Sequence, residues 1–442
     1  MTRTLARVLR LGDLVYIVLG TVIGSGIFLL PGPVLQETGG HVGLALGVWV
    51  AGGLLSFLGA ITYAELGAMM PQAGGIYVYI RDAFGRPSAF LFGWMLFTVI
   101  APASVATLAV GSTAYLQELV PLSPIAARGI ALGMIVVLAL LNIRGTKESA
   151  RVQDWTTAVK VGAIVLMSVG LLAVGRVAGP ATAATAPVAP GPGLLTGIGV
   201  AMVAVLWAYE GWTYVTFSAG ETLEPQRTFP RAIAIGTAAL IALYLMANIG
   251  YLAVLGPATV AKSDRVASEA VRAAFGPAAG RAIAVVVLLS MFSAVNAILL
   301  TAPRVFYAMA KDGLFFRKLA EIHPRLGTPA IAIAATALWS MVLAASGTYT
   351  QLLTYVVFTA WIFYGLGAVS VFVFRRTRPD APRPFRVPGY PWTPALFVLA
   401  ALGIVIATLV GQPARAIAGL VALAVGMPAY LIWRRSAPVG EP

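Results

Sequence analysis

Long apolar stretches follow one another along the chain, with only short polar joints between them. Crossing the hydrocarbon core of a bilayer takes about twenty apolar residues as a helix. Runs of that kind fall at 14–36, 43–70, 87–117, 125–143, 155–175, 193–219, 232–256, 282–303, 328–346, 349–374, 391–412 and 415–433. The pattern predicts an all-α integral membrane protein of twelve transmembrane helices, an even number that puts both termini on one side. Arg3, Arg7 and Arg10 before the first run give it a superficial likeness to a secretory leader. The run is too long for one, has no small-residue cleavage site followed by polar sequence, and a second apolar run follows closely, so it reads as the first span.

Composition agrees with the pattern. Hydrophobic residues make up 59% of the 442 positions and charged residues 10%, whereas soluble domains carry about a quarter charged. The formal charge of +14 would suggest nucleic acid in a soluble chain. Its placement argues otherwise: with the N-terminus inside, 22 of the 30 basic residues lie in inner segments and 7 in outer ones. That is the positive-inside asymmetry of a protein facing anionic lipid. The joints leave no room for a soluble domain. The outer one at 177–192 is rich in Ala, Pro and Gly, and the inner stretch 375–391 is basic and Pro-rich. Two inner joints, 72–85 and 309–323, hold enough apolar residues for short interfacial helices. There is no cysteine, and His41 and His323 are the two histidines. Disulfides, thiol chemistry, a metal site and a bound cofactor are therefore not expected, and a membrane-embedded enzyme lacks a convergent catalytic set.

Chemistry is to be sought where spans break their own rules. Gly24-Ser25-Gly26 sits mid-way along the first run. Two glycines around a serine can unwind a helix and leave N–H groups of the next half-helix free, a setting that suits a carboxylate. Close packing by small residues is the plainer account. In the sixth run, Trp207-Ala208-Tyr209-Glu210-Gly211-Trp212 places a carboxylate in mid-membrane beside a glycine. Such a charge should face a cavity or a partner, or lock helices as a buried acid. Both irregular segments open a unit of five helices, which predicts an inverted repeat with its site at the midplane. Glu65, Lys160 and Glu210 are the charges within the runs away from their ends. Glu65 reads as structural. Lys160 either snorkels to the inner surface or binds carbonyls freed by the broken first helix.

At these residues the chain resembles the amino acid–polyamine–organocation superfamily, in particular the L-type amino acid transporters and their bacterial relatives. The likeness rests on an ordered set: GSGIF at Gly24–Phe28, PQAGGIYVYIRDAFG at Pro71–Gly85, NIRGTKESARVQDWTTAVK at Asn142–Lys160, AYEGWTYVTFSAGE at Ala208–Glu221, PRVFYAMAKDG at Pro303–Gly313 and RPFRVPGYPWTP at Arg383–Pro394. It implies the LeuT-type fold, a five-plus-five inverted repeat with two extra C-terminal helices. The repeats would be 1–176 and 177–374, with the last two spans and a cytoplasmic C-terminus in 375–442.

By the same resemblance, a substrate carboxylate meets N–H groups of Ser25, Gly26 and Ile27, beside Gly24. The amino group meets carbonyls around Ile23 and at Trp207, Ala208 and Tyr209, next to Glu210, and Trp207 is the gate over the substrate. Ile100, Ser104, Ser293 and Asn296 stand near the side-chain pocket, and Lys160 takes the place of a sodium ion. The expected function is transport of small or medium neutral L-amino acids across the cell's inner (plasma) membrane, by sodium-independent exchange or proton-linked uptake, with both termini cytoplasmic. Two departures from the animal pattern matter. Glu210 replaces a small residue and leaves a cationic amino acid or polyamine as the alternative substrate. The absence of cysteine removes the disulfide to a heavy subunit. A membrane amino acid sensor with the same site is the rival of another class. The expected partners are the amino acid substrate and membrane lipid, with no nucleic acid.

Overall fold

The computed structural model describes residues 9–72, 74–178 and 193–436. Arg3, Arg7 and most of the 177–192 joint lie outside the described residues. The regular elements among the described residues are all helices, apart from one isolated bridge between Leu9 and Thr222. Among the described residues, ten helices are long and apolar enough to cross a membrane, and two shorter apolar ones, Leu194–Ala208 and Ala330–Ser346, accompany them. The molecule is a multi-pass membrane protein. Its lipid-facing helices are apolar outside as well as inside: Pro124–Arg144 exposes Ile125, Val137 and Leu140.

The first run is not one helix. It runs as Leu11–Val22, opens at Ile23-Gly24-Ser25, resumes as Gly26–Leu29 and turns again into Pro31–Glu37. Ile23 adopts extended backbone (φ −73°, ψ 90°), which ends the hydrogen-bond ladder. The sixth run stops as an α-helix at Ala208, turns through Tyr209–Gly211 and continues as a 3-10 helix, Trp212–Glu221. Gly211 has φ +119°, a conformation that side chains bearing a Cβ rarely adopt. The two breaks face each other. Thr21 Oγ1 donates to the Gly211 carbonyl at 3.0 Å, and a Cβ on Gly26 would run into the Ala208 backbone.

Other departures from the sequence-based boundaries have local causes. The third span, Arg86–Leu119, contains a π turn at Leu96–Ile100 just ahead of Pro102, whose missing N–H loosens the ladder there. The fifth helix begins at Thr146, nine residues before the expected 155, because the polar segment before the apolar run is itself helical. Lys160 therefore lies about four turns into its helix, not two. Of the two interfacial helices, the first is Ile76–Phe84; the second lies earlier than expected, at Pro303–Lys311, with a short 3-10 turn at Arg317–Ala320. They are tied together at Asp312, which accepts from Arg81 and from the Tyr77 hydroxyl, each at 2.7 Å. Burial, and after it that carboxylate, push the Tyr77 hydroxyl's pKa up. Two short helices, Pro257–Lys262 and Val266–Phe275, are present where the sequence pattern predicts only a joint. They cover the C-terminal end of the broken first helix, where a Cβ on Gly32 would stand 2.7 Å from the carbonyl oxygens of Val260 and Ser263.

Candidate functional site

Between the two breaks lies a cavity of about 20 Å³, counted as positions open to a water's centre. Its lining includes Gly24, Ser25, Gly26, Ser104, Trp207 and Glu210 from the expected set. It also includes residues that were not expected: Thr21, Leu108, Gly211, Tyr214 and Ile298. This space admits about one water and is too small for an amino acid, so loading requires the surrounding helices to move.

The break leaves polar groups of both kinds. The N–H groups of Gly24, Ser25, Gly26 and Ile27 donate to no backbone carbonyl among the described residues. The freed carbonyls are capped. Lys160 Nζ donates to Gly20 at 2.8 Å and to Ile23 at 2.6 Å, and the Ser290 hydroxyl adds a bond to Ile23 at 3.0 Å. Lys160 is 0% exposed, so it does not snorkel. Its ammonium sits where the negative end of the first half-helix points. The Tyr244 hydroxyl lies 3.1 Å from the Val22 carbonyl and 3.0 Å from the Ala208 carbonyl, and so bridges the ends of both broken helices.

Trp207 closes one end. Its indole N–H lies 3.3 Å from Ser25 Oγ and 3.2 Å from the Tyr349 hydroxyl, and that hydroxyl is 2.9 Å from Ser25 Oγ. Beyond Tyr349 opens a vestibule of about 340 Å³, lined also by Glu37, Asp264 and Gln412. Partial burial raises the Glu37 carboxyl above its ordinary range. The opposite end is shut by the N-terminal segment. Leu9 N–H donates to the Glu221 carbonyl at 2.9 Å, and Leu223 N–H donates to the Leu9 carbonyl at 2.8 Å. Arg304, buried, reaches the Glu221 carboxylate at 3.4 Å.

Glu210 faces the cavity, with one carboxylate oxygen 2.5 Å from the Tyr364 hydroxyl. Thr213 donates to that same hydroxyl at 3.0 Å. Four expected residues stand elsewhere. Ile100 is buried in the π turn, where its carbonyl accepts from Ser104. Ser293 and Asn296 do not line the cavity: they belong to a buried polar network with Asn142, Ser149, Gln153 and Thr156 on the fourth and fifth helices. Tyr209 turns away from the cavity to pack its ring on Trp49 and Tyr244. Ala208 and Ile23 contribute backbone, and Ile27 is buried one residue beyond the lining. Tyr244, Tyr349 and Ser290 carried no sequence signal, being hydroxyls on otherwise ordinary helices. Among the described residues no group of three His, Cys, Asp or Glu is placed to hold a metal.

Comparison with known proteins gives a consistent result. The family described as amino acid permease matches residues 9–428. The human cystine/glutamate transporter is 32% identical over 430 residues, 95% of this chain and 84% of that protein. The mouse large neutral amino acids transporter small subunit 2 is 33% identical over 94% of this chain and 79% of its own length. A serine/threonine exchanger of Bacillus subtilis (strain 168) is 30% identical over 94% of both chains.

Proposed function

The chain belongs to the amino acid permease family within the amino acid–polyamine–organocation superfamily, and from that premise we propose that it carries small or medium neutral L-amino acids by alternating access, through sodium-independent exchange or proton-linked uptake. Relatives described as exchangers and carriers of neutral amino acids support this reading. They are transporters, and this chain is one too rather than an enzyme. The observation that carries the proposal is the meeting of two broken helices in mid-membrane, with free N–H groups at Gly24–Ile27 beside a cavity. Fixed backbone dipoles of this kind suit a zwitterion: N–H groups for the carboxylate and, since Lys160 and Ser290 fill the Ile23 carbonyl, the Ala208 carbonyl for the ammonium. Lys160 fills the place of a bound cation on the Gly20 and Ile23 carbonyls, which favours transport without sodium.

The ten long helices and the two shorter ones make twelve spans in this reading, arranged as repeats over 1–176 and 177–374 with two further helices in 375–442. Helices five positions apart pack on each other: Val42–Met69 on Pro225–Leu255, and Ala101–Leu119 on Pro277–Thr301. Contacts between equivalent elements are what a pseudo-two-fold axis through the site produces. The protein sits in the inner (plasma) membrane with cytoplasmic termini, and without cysteine it forms no disulfide to a heavy subunit.

Counterflow of labelled amino acids in proteoliposomes, with and without sodium and a pH gradient, tests the proposal. Sodium-independent exchange of neutral amino acids supports it; binding without counterflow would make the protein a sensor instead. Glu210 favours a second reading, since its carboxylate lines the cavity with the Tyr364 hydroxyl, not a cationic side chain, against it among the described residues. A cationic amino acid or polyamine would then be the cargo. Uptake of cations that is lost in Glu210→Gln, with no neutral uptake in either protein, would select that reading.

A further inference from the structure

Away from the central cavity, the third and fourth spans enclose a groove of about 550 Å³, counted as positions open to a water's centre. Val110, Thr113 and Gln117 line it from Ala101–Leu119, and Arg128, Ala131 and Leu132 line it from Pro124–Arg144. The two helices are joined at residues 120–123, so the lining can be ordered by depth below that joint. At 1.5 Å per residue, Gln117 lies about 3 Å down and Arg128 about 6 Å. Thr113, Ala131, Leu132 and Val110 follow between about 9 and 14 Å. The helix Pro124–Arg144 is about 31 Å long, which matches the hydrocarbon core. The polar end of the groove therefore lies at the membrane surface and the apolar end within the hydrocarbon. Arg128 is exposed, and no hydrogen bond or ion pair holds it among the described residues. Glu118, the carboxylate beside Gln117, is already engaged: it accepts from the Ser268 hydroxyl at 2.6 Å and pairs with Arg272. A guanidinium at that depth without a counter-charge is costly.

We propose that this groove binds an anionic phospholipid of the phosphatidylglycerol kind, with the phosphate on Arg128 and Gln117 and one acyl chain along Ala131, Leu132 and Val110. The change of chemistry with depth is that of an amphiphile. The guanidinium and the carboxamide donate to phosphate oxygens, and the deeper wall takes the chain. A zwitterionic headgroup carries its own cation beside the phosphate and gains less from Arg128. A partner's membrane helix is the weaker occupant, since it satisfies its own backbone and brings no counter-charge to the guanidinium. In the orientation proposed above, the lipid belongs to the outer leaflet. The groove bears on the transport path through one helix. Val110 also lines the vestibule, and Ser104 and Leu108 of the same helix line the central cavity, so a lipid in the groove braces the wall that both spaces share.

The purified, delipidated protein is titrated in detergent with phosphatidylglycerol or with phosphatidylcholine of the same acyl chains, and binding is read by native mass spectrometry and by thermal unfolding. Glycerol phosphate supplies the headgroup without chains. Arg128→Gln is compared with Arg281→Gln, an exposed basic residue outside the groove's lining. Phosphatidylglycerol is expected to bind once per chain at a concentration about tenfold below phosphatidylcholine. That gap should close in Arg128→Gln and persist in Arg281→Gln. In the wild type, phosphatidylglycerol carrying a photoreactive group on one acyl chain should label the Val110 and Leu132 segments, which tests the site even if Arg128→Gln does not fold. Equal binding of the two lipids would overturn the proposal, as would a gap that survives Arg128→Gln, a gap that closes equally in Arg281→Gln, or labelling confined to other helices. A full thermal shift from glycerol phosphate alone would overturn the lipid in favour of free phosphate. Crosslinking of Leu132→Cys to a second polypeptide in native membranes would overturn it in favour of a protein partner. These are binding measurements, so they stand whether or not the protein exchanges amino acids.

Discussion

At the scale of single residues, Gly26 and Lys160 show why the site is built from backbone. The family resemblance puts a substrate carboxylate at the Gly26 N–H, which by itself would call for a small residue there. The structure gives a different reason: the missing side chain is where the Ala208 backbone sits. Gly26→Ala is therefore expected to push the two breaks apart, costing about 1–3 kcal/mol of stability as overpacking does and weakening substrate binding. A thermal midpoint and a binding constant both unchanged from wild type would contradict this. Lys160 has its ammonium on two carbonyls that no ladder satisfies. Lys160→Met keeps most of the stem and removes the charge, leaving acceptors in a dry interior at a cost of about 1–3 kcal/mol. Exchange per reconstituted molecule should fall more than tenfold, with a smaller loss in thermal stability; wild-type flux at equal density would refute its role.

At the scale of elements, Glu65 anchors the Pro-rich inner segment. Both its oxygens bond Arg375, at 3.0 and 2.7 Å, and it accepts the Val387 N–H at 2.7 Å. One carboxylate thus fixes the end of Tyr349–Thr377 and the irregular return towards Trp392–Gly411. Glu65→Gln should cost about 3 kcal/mol, the low end for breaking a buried pair, since Arg375 is partly exposed. Limited proteolysis should then cut within 378–386, where the wild type resists. The sequence made such elements legible unevenly. Hydrophobic run length located the spans, and glycine beside serine or glutamate located both breaks, because these signals are local. The register of the fifth helix was misjudged because its polar first turns lie within a helix that apolar counting starts too late. Tyr244, Tyr349 and Ser290 could not be read at all. Each matters through a partner more than sixty residues away, and a lone hydroxyl on an apolar helix leaves no pattern. Ser293 and Asn296 were placed in the pocket by resemblance, but their polar atoms are taken up by the network behind the first helix.

At the scale of the whole molecule, the cavity is closed on both sides by seals of unequal strength. In the orientation proposed above, the outer one consists of hydrogen bonds among Trp207, Ser25 and Tyr349; such neutral bonds contribute about 1 kcal/mol each. The inner one combines the Leu9 backbone pairing with Glu221 and Leu223, the buried Arg304–Glu221 pair and the Asp312 tie to Arg81. Buried charged pairs are harder to part than neutral hydrogen bonds, since opening strands each charge. The resting protein should therefore open outward more often than inward. The absence of native cysteine makes this measurable, because any introduced thiol is unique. Ala114→Cys lines the vestibule outside the seal, and Ser104→Cys lines the cavity within it. A membrane-impermeant thiol reagent added outside should label Ala114→Cys quickly and Ser104→Cys at least tenfold more slowly. Tyr349→Phe, which removes two of the three outer bonds, should narrow that gap. The same reagent inside the vesicle should reach Ser104→Cys more slowly still. Faster labelling of Ser104→Cys from the inside would reverse the order of the seals and assign the weaker one to the Arg304–Glu221 end.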